Sequence, residues 1–97
     1  MRVQLKLYGV FRSAASANSP TVELPENERT VKSAIERIFA LGEFRTLRSL
    51  LMDSTTSDPR PNALIMVSGR EINTLRGLET ELKEGDELAL LPVAHGG

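Results

Sequence analysis

The first residues of the chain alternate between apolar and polar side chains. Val3, Leu5 and Leu7 occupy every second position, so they share one face of an extended segment. The same period recurs over residues 21–24. The two segments predict a pair of strands that form a hairpin. Residues 12–20, small and polar and closed by proline, predict the loop between them.

Helical spacing replaces alternation in the next segment. Four apolar residues follow the i, i+3, i+4, i+7 pattern of one helix face, and Thr30, a residue type that caps helix N-termini, comes directly before them. This predicts a helix over residues 31–41 with Gly42 at its C-terminal end. Apolar positions over residues 44–51 predict a short second helix. The apolar face of the first helix consists of Val31, Ala34, Ile35 and Ile38.

The second half of the chain returns to strands. After a polar, proline-containing loop over residues 53–62, the stretch 63–67 is apolar at every position and predicts a central strand that is buried on both faces. A turn at 68–69 leads to a brief strand that ends at Ile72, and residues 87–91 predict the final strand. This order predicts an α+β fold, with the main helix across one face of a mixed sheet and the first and last strands paired at its centre.

The final strand is apolar on both of its faces. Leu88 and Leu90 share one face and are predicted core residues, whereas Ala89 and Leu91 share the other. With side chains of the 63–67 strand (Ala63, Ile65, Val67 or their neighbours), the second pair predicts an apolar patch on the open side of the sheet. Such patches often mark partner surfaces, and the alternative is that loops cover this one.

Composition limits the chemistry that the chain can perform. Aromatic residues make up 4% of a sequence that is 40% hydrophobic, so Leu, Ile and Val must build the core. There is no cysteine, and His95 is the single histidine. The absence of cysteine excludes a thiolate nucleophile and a Cys-held metal site. A single histidine gives no support for a nucleophile–histidine pair. The sequence predicts that the protein is not an enzyme and holds no metal.

The charge and hydropathy of the chain argue against nucleic acids and membranes as binding partners. Twelve basic and thirteen acidic residues give a net charge of −1 and a pI near 5.8, which predicts no direct nucleic-acid binding. The N-terminus lacks the apolar core of a signal peptide, and no run approaches the roughly 18 apolar residues of a membrane span. We therefore expect a cytoplasmic protein that does not contact membranes.

The chain ends on the sequence PVAHGG. Residues 1–92 are predicted to form the domain, and residues 93–97 a flexible tail that can reach about 17 Å at roughly 3.3 Å per residue. Glycines have no Cβ, so this tail fits a narrow channel in a partner, and its carboxylate could be activated with ATP as an acyl-adenylate. The alternative is an incidental frayed terminus.

The order of elements, together with the stretches RPNALIMVSGREI and LKEGDELALLPVAHGG, resembles the ubiquitin-like sulfur carriers and modifiers of β-grasp fold. These include the molybdopterin synthase small subunit, the thiamine-pathway sulfur carrier and the archaeal small modifiers. The sequence is most similar to the ubiquitin-related modifier that carries out urmylation, and the length of the 53–62 loop favours that branch. The motif LLPV is instead similar to the molybdopterin subunit.

The resemblance implies a carrier without activity of its own. A ubiquitin-activating-like enzyme uses ATP to adenylate the terminal glycine, and a sulfur-transfer enzyme converts it to a thiocarboxylate. The sulfur then serves tRNA thiolation or a cofactor precursor, or the terminus forms an isopeptide bond with lysines of target proteins. The implied partners also include the proteasome, and the implied state is a monomer with no bound cofactor. The activated residues are Gly97 and Gly96, and the partner-binding residues are Leu91, Pro92, Val93, Ala94 and His95.

Overall fold

The structure, a computed structural model, describes residues 1–15, 21–41, 44–52 and 58–93. Two short 3-10 turns, Ile72–Thr74 and Gly77–Glu79, precede the last strand. The helices are α1 (Gly9–Ala14), α2 (Val31–Phe39) and α3 (Arg45–Leu51), and the strands are β1 (Arg2–Leu7), β2 (Thr21–Glu23), β3 (Ala63–Val67), β4 (Arg70–Glu71) and β5 (Glu87–Pro92).

The five strands form one mixed sheet in the order β2-β1-β5-β3-β4. β1 and β5 run parallel, and the other neighbouring pairs are antiparallel. The prediction that the first and last strands lie side by side at the centre is therefore confirmed. The register places Leu5 beside Leu88 and Ile65 beside Leu90. The buried apolar side chains of β1, β3 and β5 therefore share one face of the sheet.

The helix α2 packs against this face and closes the core. Its four predicted core residues are all buried, each with no more than 3% of its surface exposed. The Thr30 hydroxyl accepts a hydrogen bond from the backbone N–H of Ser33 at 3.1 Å, which is the predicted cap. α3 adds Leu47 and Leu51 to the same core. The predicted α+β architecture is confirmed.

The segment between β1 and β2 differs from the prediction. Residues 12–14, predicted as part of a loop, belong to helix α1, which buries Phe11 to 1% exposure. Gly9 begins this helix with a φ of +55°, a conformation that L side chains rarely adopt, so the chain can turn directly out of β1. Residues 16–20 of the predicted loop lie outside the described residues.

Two other predictions need correction. α2 ends at Phe39, two residues before the predicted end, and the predicted cap Gly42 lies outside the described residues. β3 is not buried on both faces, because its side chains alternate between the core and the opposite side of the sheet. Ala63, Ile65 and Val67 point into the core, whereas Leu64 is 40% exposed.

Within the part of the chain that the structure describes, no helix is both long and apolar enough to cross a membrane.

Candidate functional site

The candidate site begins where β5 leaves the sheet. β5 is paired along both edges, with β1 on one side and β3 on the other, and its last pairs join Leu91 to Leu64 and Pro92 to Ala63. One residue further, the backbone N–H of Val93 donates to the carbonyl oxygen of Asn62 at 3.1 Å. The backbone is thus held by hydrogen bonding up to Val93.

The predicted site residues fall into two groups. Leu91 is half-buried, and Pro92 and Val93 are exposed beside it at the end of the strand. Ala94, His95, Gly96 and Gly97 lie outside the described residues. The predicted roles of all seven residues stay predictions.

Two neighbours flank the end of β5. The Pro92 ring lies against Gly9, where a Cβ on that glycine would stand 2.9 Å from Pro92 Cγ. On the β3 side, Asn62 Nδ2 donates to the carbonyl oxygen of Leu51 at 3.0 Å, which ties this position to the end of α3. Sequence reasoning missed both contacts, because each joins segments that are far apart along the chain.

An apolar patch lies on the side of the sheet opposite α2. We call it the open-face patch, formed by Leu64, Met66, Ala89 and Leu91. Register places Met66 beside Ala89 and Leu64 beside Leu91. Leu64 is 40% exposed, Met66 and Leu91 are half-buried, and the small Ala89 is 6% exposed between them.

The open-face patch confirms the predicted apolar face of β5, with one correction to its β3 members. The neighbours Leu64 and Met66 contribute to it, whereas Ala63, Ile65 and Val67 do not, because strand side chains alternate between faces. On the β1 side, Lys6 lies beside Ala89, and its Nζ stands 5.8 Å from the centre of the Tyr8 ring. The patch thus has a cationic and aromatic rim.

A charged pair stabilises the turn that leads to Asn62. The Asp58 carboxylate accepts hydrogen bonds from Arg60 Nη2 at 2.7 Å, from Nε at 3.0 Å and from the backbone N–H of Arg60 at 2.9 Å. The side-chain hydrogen bond from Arg60 is the largest cause that lowers the pKa of Asp58 below its usual value, and it raises the pKa of Arg60. The turn preceding β3 is therefore preorganised while Asp58 is ionised.

Two surface depressions lie elsewhere. An apolar groove of about 70 Å³ is lined by residues that include Ile35, Phe39 and Met52, and is far smaller than the roughly 300–1,000 Å³ of typical ligand pockets. A shallower depression of about 340 Å³ borders the ion pair between Glu28 and Arg37. Neither depression is lined by a residue of β5.

The strand order and the packed helix define a protein of the ubiquitin-like β-grasp class. The solution structure of the small archaeal modifier protein 1 (SAMP1) from Methanosarcina acetivorans has a TM-score of 0.82 at 24% identity, covering 99% of this chain and 96% of that chain. A chain of the BexX/CysO complex from Amycolatopsis orientalis has a TM-score of 0.67 at 23% identity, covering 98% and 99%. These likenesses confirm the fold.

The sequence comparisons identify the family. The model of the ThiS family matches residues 7–97, so the chain belongs to the ThiS family. A relative from Archaeoglobus fulgidus, named "Putative sulfur carrier protein", is 31% identical over 86 residues, which cover 89% of this chain and 94% of the relative. The resemblance to ubiquitin-like sulfur carriers and modifiers is thereby confirmed. The protein is a small carrier or modifier and not itself an enzyme.

Proposed function

We propose that this chain is a ubiquitin-like modifier and sulfur carrier whose reactive group is the carboxylate of Gly97. The observation that carries the proposal is the path of β5. This central strand is hydrogen-bonded along both edges and is followed by a segment ending in His-Gly-Gly. A rigid strand that delivers an unhindered carboxylate suits a substrate that enters another protein's active site.

The proposed chemistry takes place in partner enzymes. In an activating enzyme, the Gly97 carboxylate attacks the α-phosphorus of ATP, so that pyrophosphate leaves and an acyl-adenylate forms. The terminal sulfur of a persulfide on a sulfur-transfer enzyme then attacks the acyl carbon, and AMP leaves. A thiol next cleaves the S–S bond of the resulting acyl disulfide, which releases the thiocarboxylate and leaves a disulfide on the sulfur-transfer enzyme. ATP is bound by the activating enzyme, and the carrier supplies only the terminus.

Two fates of the activated terminus follow from the family resemblance. The thiocarboxylate donates its sulfur to a wobble uridine in tRNA thiolation, or the acyl group is transferred to a lysine amine of a target protein, forming the isopeptide bond of urmylation. The length of the 53–62 loop supports the modifier branch. In this account the carrier acts as a cytoplasmic monomer, and proteins that carry it can be delivered to the proteasome.

The open-face patch is the proposed docking surface for the activating enzyme. It adjoins the end of β5, it is apolar and partly exposed, and Lys6 and Tyr8 border it. Stable protein interfaces bury about 800 Å² on each partner. The patch together with an extended tail offers a surface of this order.

A second candidate is the small subunit of molybdopterin synthase, which donates sulfur to a molybdenum cofactor precursor. The motif LLPV at residues 90–93, which spans the end of β5, favours this function. Stable co-purification with a larger subunit would select this function over a carrier that is released after each reaction. Unchanged function after deletion of Gly96 and Gly97 would instead select a plain β-grasp interaction module.

Mass spectrometry of the protein isolated from its native host tests the proposal. A carrier is expected to show an intact mass in which one terminal oxygen has been replaced by sulfur. A modifier leaves its own C-terminal peptide on target lysines. Because Lys83 is the last basic residue, trypsin would leave residues 84–97 as the branch on a conjugated lysine. Finding neither species while the activating enzyme is present would contradict the proposal.

A further inference from the structure

The end of β5 is held from two sides by residues that lie far apart in the sequence. We call the three residues Gly9, Asn62 and Pro92 the exit collar. Their contacts lie around the end of β5 and the first residue beyond it, Val93. Backbone near a chain terminus would ordinarily fray, so contacts on both sides at this point call for an explanation.

Asn62 forms one side of the exit collar. Its backbone carbonyl accepts the hydrogen bond from the Val93 N–H at 3.1 Å, and its own N–H donates to the Pro59 carbonyl at 3.0 Å. Its side-chain Nδ2 donates to the Leu51 carbonyl at 3.0 Å. Asn62, whose carbonyl accepts the hydrogen bond from Val93, is thus bonded both to the end of α3 and to the turn that precedes β3.

Gly9 forms the other side. At a φ of +55° it starts α1 directly after β1, and the Tyr8 N–H donates to the Leu90 carbonyl at 3.2 Å. A Cβ at Gly9 would approach Pro92 Cγ to 2.9 Å, closer than real Cβ atoms come to a neighbour. Glycine therefore allows both the backbone turn and the close packing of the Pro92 ring, and no other residue type meets both needs without strain.

We propose that the exit collar is a positioning device that fixes where the C-terminal segment starts and in which direction it leaves the domain. This inference rests on the proposed function, in which Gly97 must reach the adenylation site of an activating enzyme. Four residues follow Val93, and they can span about 13 Å at roughly 3.3 Å each. Over so short a reach, a displaced starting point at Val93 cannot be compensated by the residues beyond it.

Releasing the exit collar frees the backbone of Val93, which must then be ordered again when the activating enzyme binds. Ordering a single backbone residue weakens binding on the order of tenfold. The terminal carboxylate itself is unchanged, and it reacts normally once bound. The expected signature is therefore a raised KM for the carrier with an unchanged kcat.

Two variants release the exit collar in different ways. Asn62→Ala removes the side-chain bond to Leu51 but keeps the backbone carbonyl that Val93 uses. Gly9→Ala drives a methyl group into Pro92. The matched control is Gly77→Ala, because Gly77 has a φ of +59° and its Cβ would meet only Arg60 Nη1, at an ordinary 3.4 Å. It carries the same backbone strain away from β5.

The test measures two quantities on variants whose folded fraction is established by denaturation. Amide hydrogen exchange reports whether Val93 is held, and ATP–pyrophosphate exchange with the cognate activating enzyme gives KM and kcat. We expect Asn62→Ala and Gly9→Ala to lose Val93 protection and to raise KM about tenfold at constant kcat, while Gly77→Ala changes neither.

The outcomes separate this inference from the function on which it rests. Normal exchange by the wild-type chain, with an unchanged KM in variants that have lost Val93 protection, would overturn the exit collar alone. Retained Val93 protection in both variants would also overturn it. No exchange by the wild-type chain would overturn the proposed function, and with it any positioning role in that reaction.

Discussion

Ile38 and Glu36 lie two positions apart on α2 in opposite environments. Ile38 is 1% exposed in the core, whereas Glu36 is exposed to solvent. Replacing Ile38 by Ala leaves a cavity, so we expect Ile38→Ala to lower the free energy of unfolding by about 2–5 kcal/mol. Glu36→Ala should change it by less than about 0.5 kcal/mol. Urea denaturation measures both, and coincident midpoints for the two variants would show that the core assignment of α2 is wrong.

The pair formed by Asp58 and Arg60 gives a prediction about pH. Because Arg60 lowers the pKa of Asp58 in the folded state, the ionised carboxylate stabilises the fold. This contribution is present above the unfolded pKa of about 3.9 and is lost as the pH falls through the lower folded pKa. Both side chains are partly exposed, so the effect is modest.

Comparison of the wild type with Asp58→Asn measures this contribution. The difference between their free energies of unfolding should be present at about pH 6 and should shrink towards about pH 2.5. In an Arg60→Gln background the difference should depend less on pH, because the carboxylate has lost its partner. A difference that grows as the pH falls would contradict the assigned role of Arg60.

At the scale of elements, α1 depends on a single buried side chain. Phe11 is 1% exposed, and its neighbour Val10 is 55% exposed. We expect Phe11→Ala to destabilise the fold by about 3–5 kcal/mol, and Val10→Ala to have an effect within about 0.5 kcal/mol. Equal denaturation midpoints for these variants would mean that α1 does not belong to the core.

The elements also show how far the sequence alone predicts this fold. β1 and α2 were predictable because their apolar residues repeat with periods of about two and 3.6, and one face of each is buried. α1 was not predictable, because six residues with one buried side chain show no period. β3 was predicted with two buried faces, since Leu64 and Met66 are as apolar as the core residues beside them although they are partly exposed.

The candidate site was predictable only in part. The sequence indicated the apolar face of β5, because strand alternation assigns side chains to faces, whereas the candidate residues 91–93 at its end came from the family resemblance. It did not indicate that Gly9 contacts Pro92 or that Asn62 holds Val93. Those contacts depend on the parallel pairing of β1 with β5 and on the path of the turn before β3, which are properties of the tertiary structure.

At the scale of the whole molecule, the open-face patch should control docking without affecting the fold. Leu64 is 40% exposed within this patch, and Leu75 is 37% exposed outside the sheet, so the two leucines form a matched pair. Leu64→Glu should weaken binding to the activating enzyme by about tenfold or more, whereas Leu75→Glu should not. Isothermal titration calorimetry gives both affinities. Equal losses for the two variants would show that the patch is not the docking surface.

In the proposed function, the working group of this protein is its terminal carboxylate at Gly97. Deletion of Gly97 removes that group from its reactive position, which must be held to within about 0.5 Å, and should leave the fold unchanged. His95→Ala should lose much less activity, because no proton transfer is assigned to that ring.

The direct test is ATP–pyrophosphate exchange with the cognate activating enzyme, run on variants shown by circular dichroism to be folded. We expect that the wild-type chain supports exchange, that His95→Ala retains most of it, and that the Gly97 deletion abolishes it. Full exchange by the Gly97 deletion would show that the terminal carboxylate is not the reactive group.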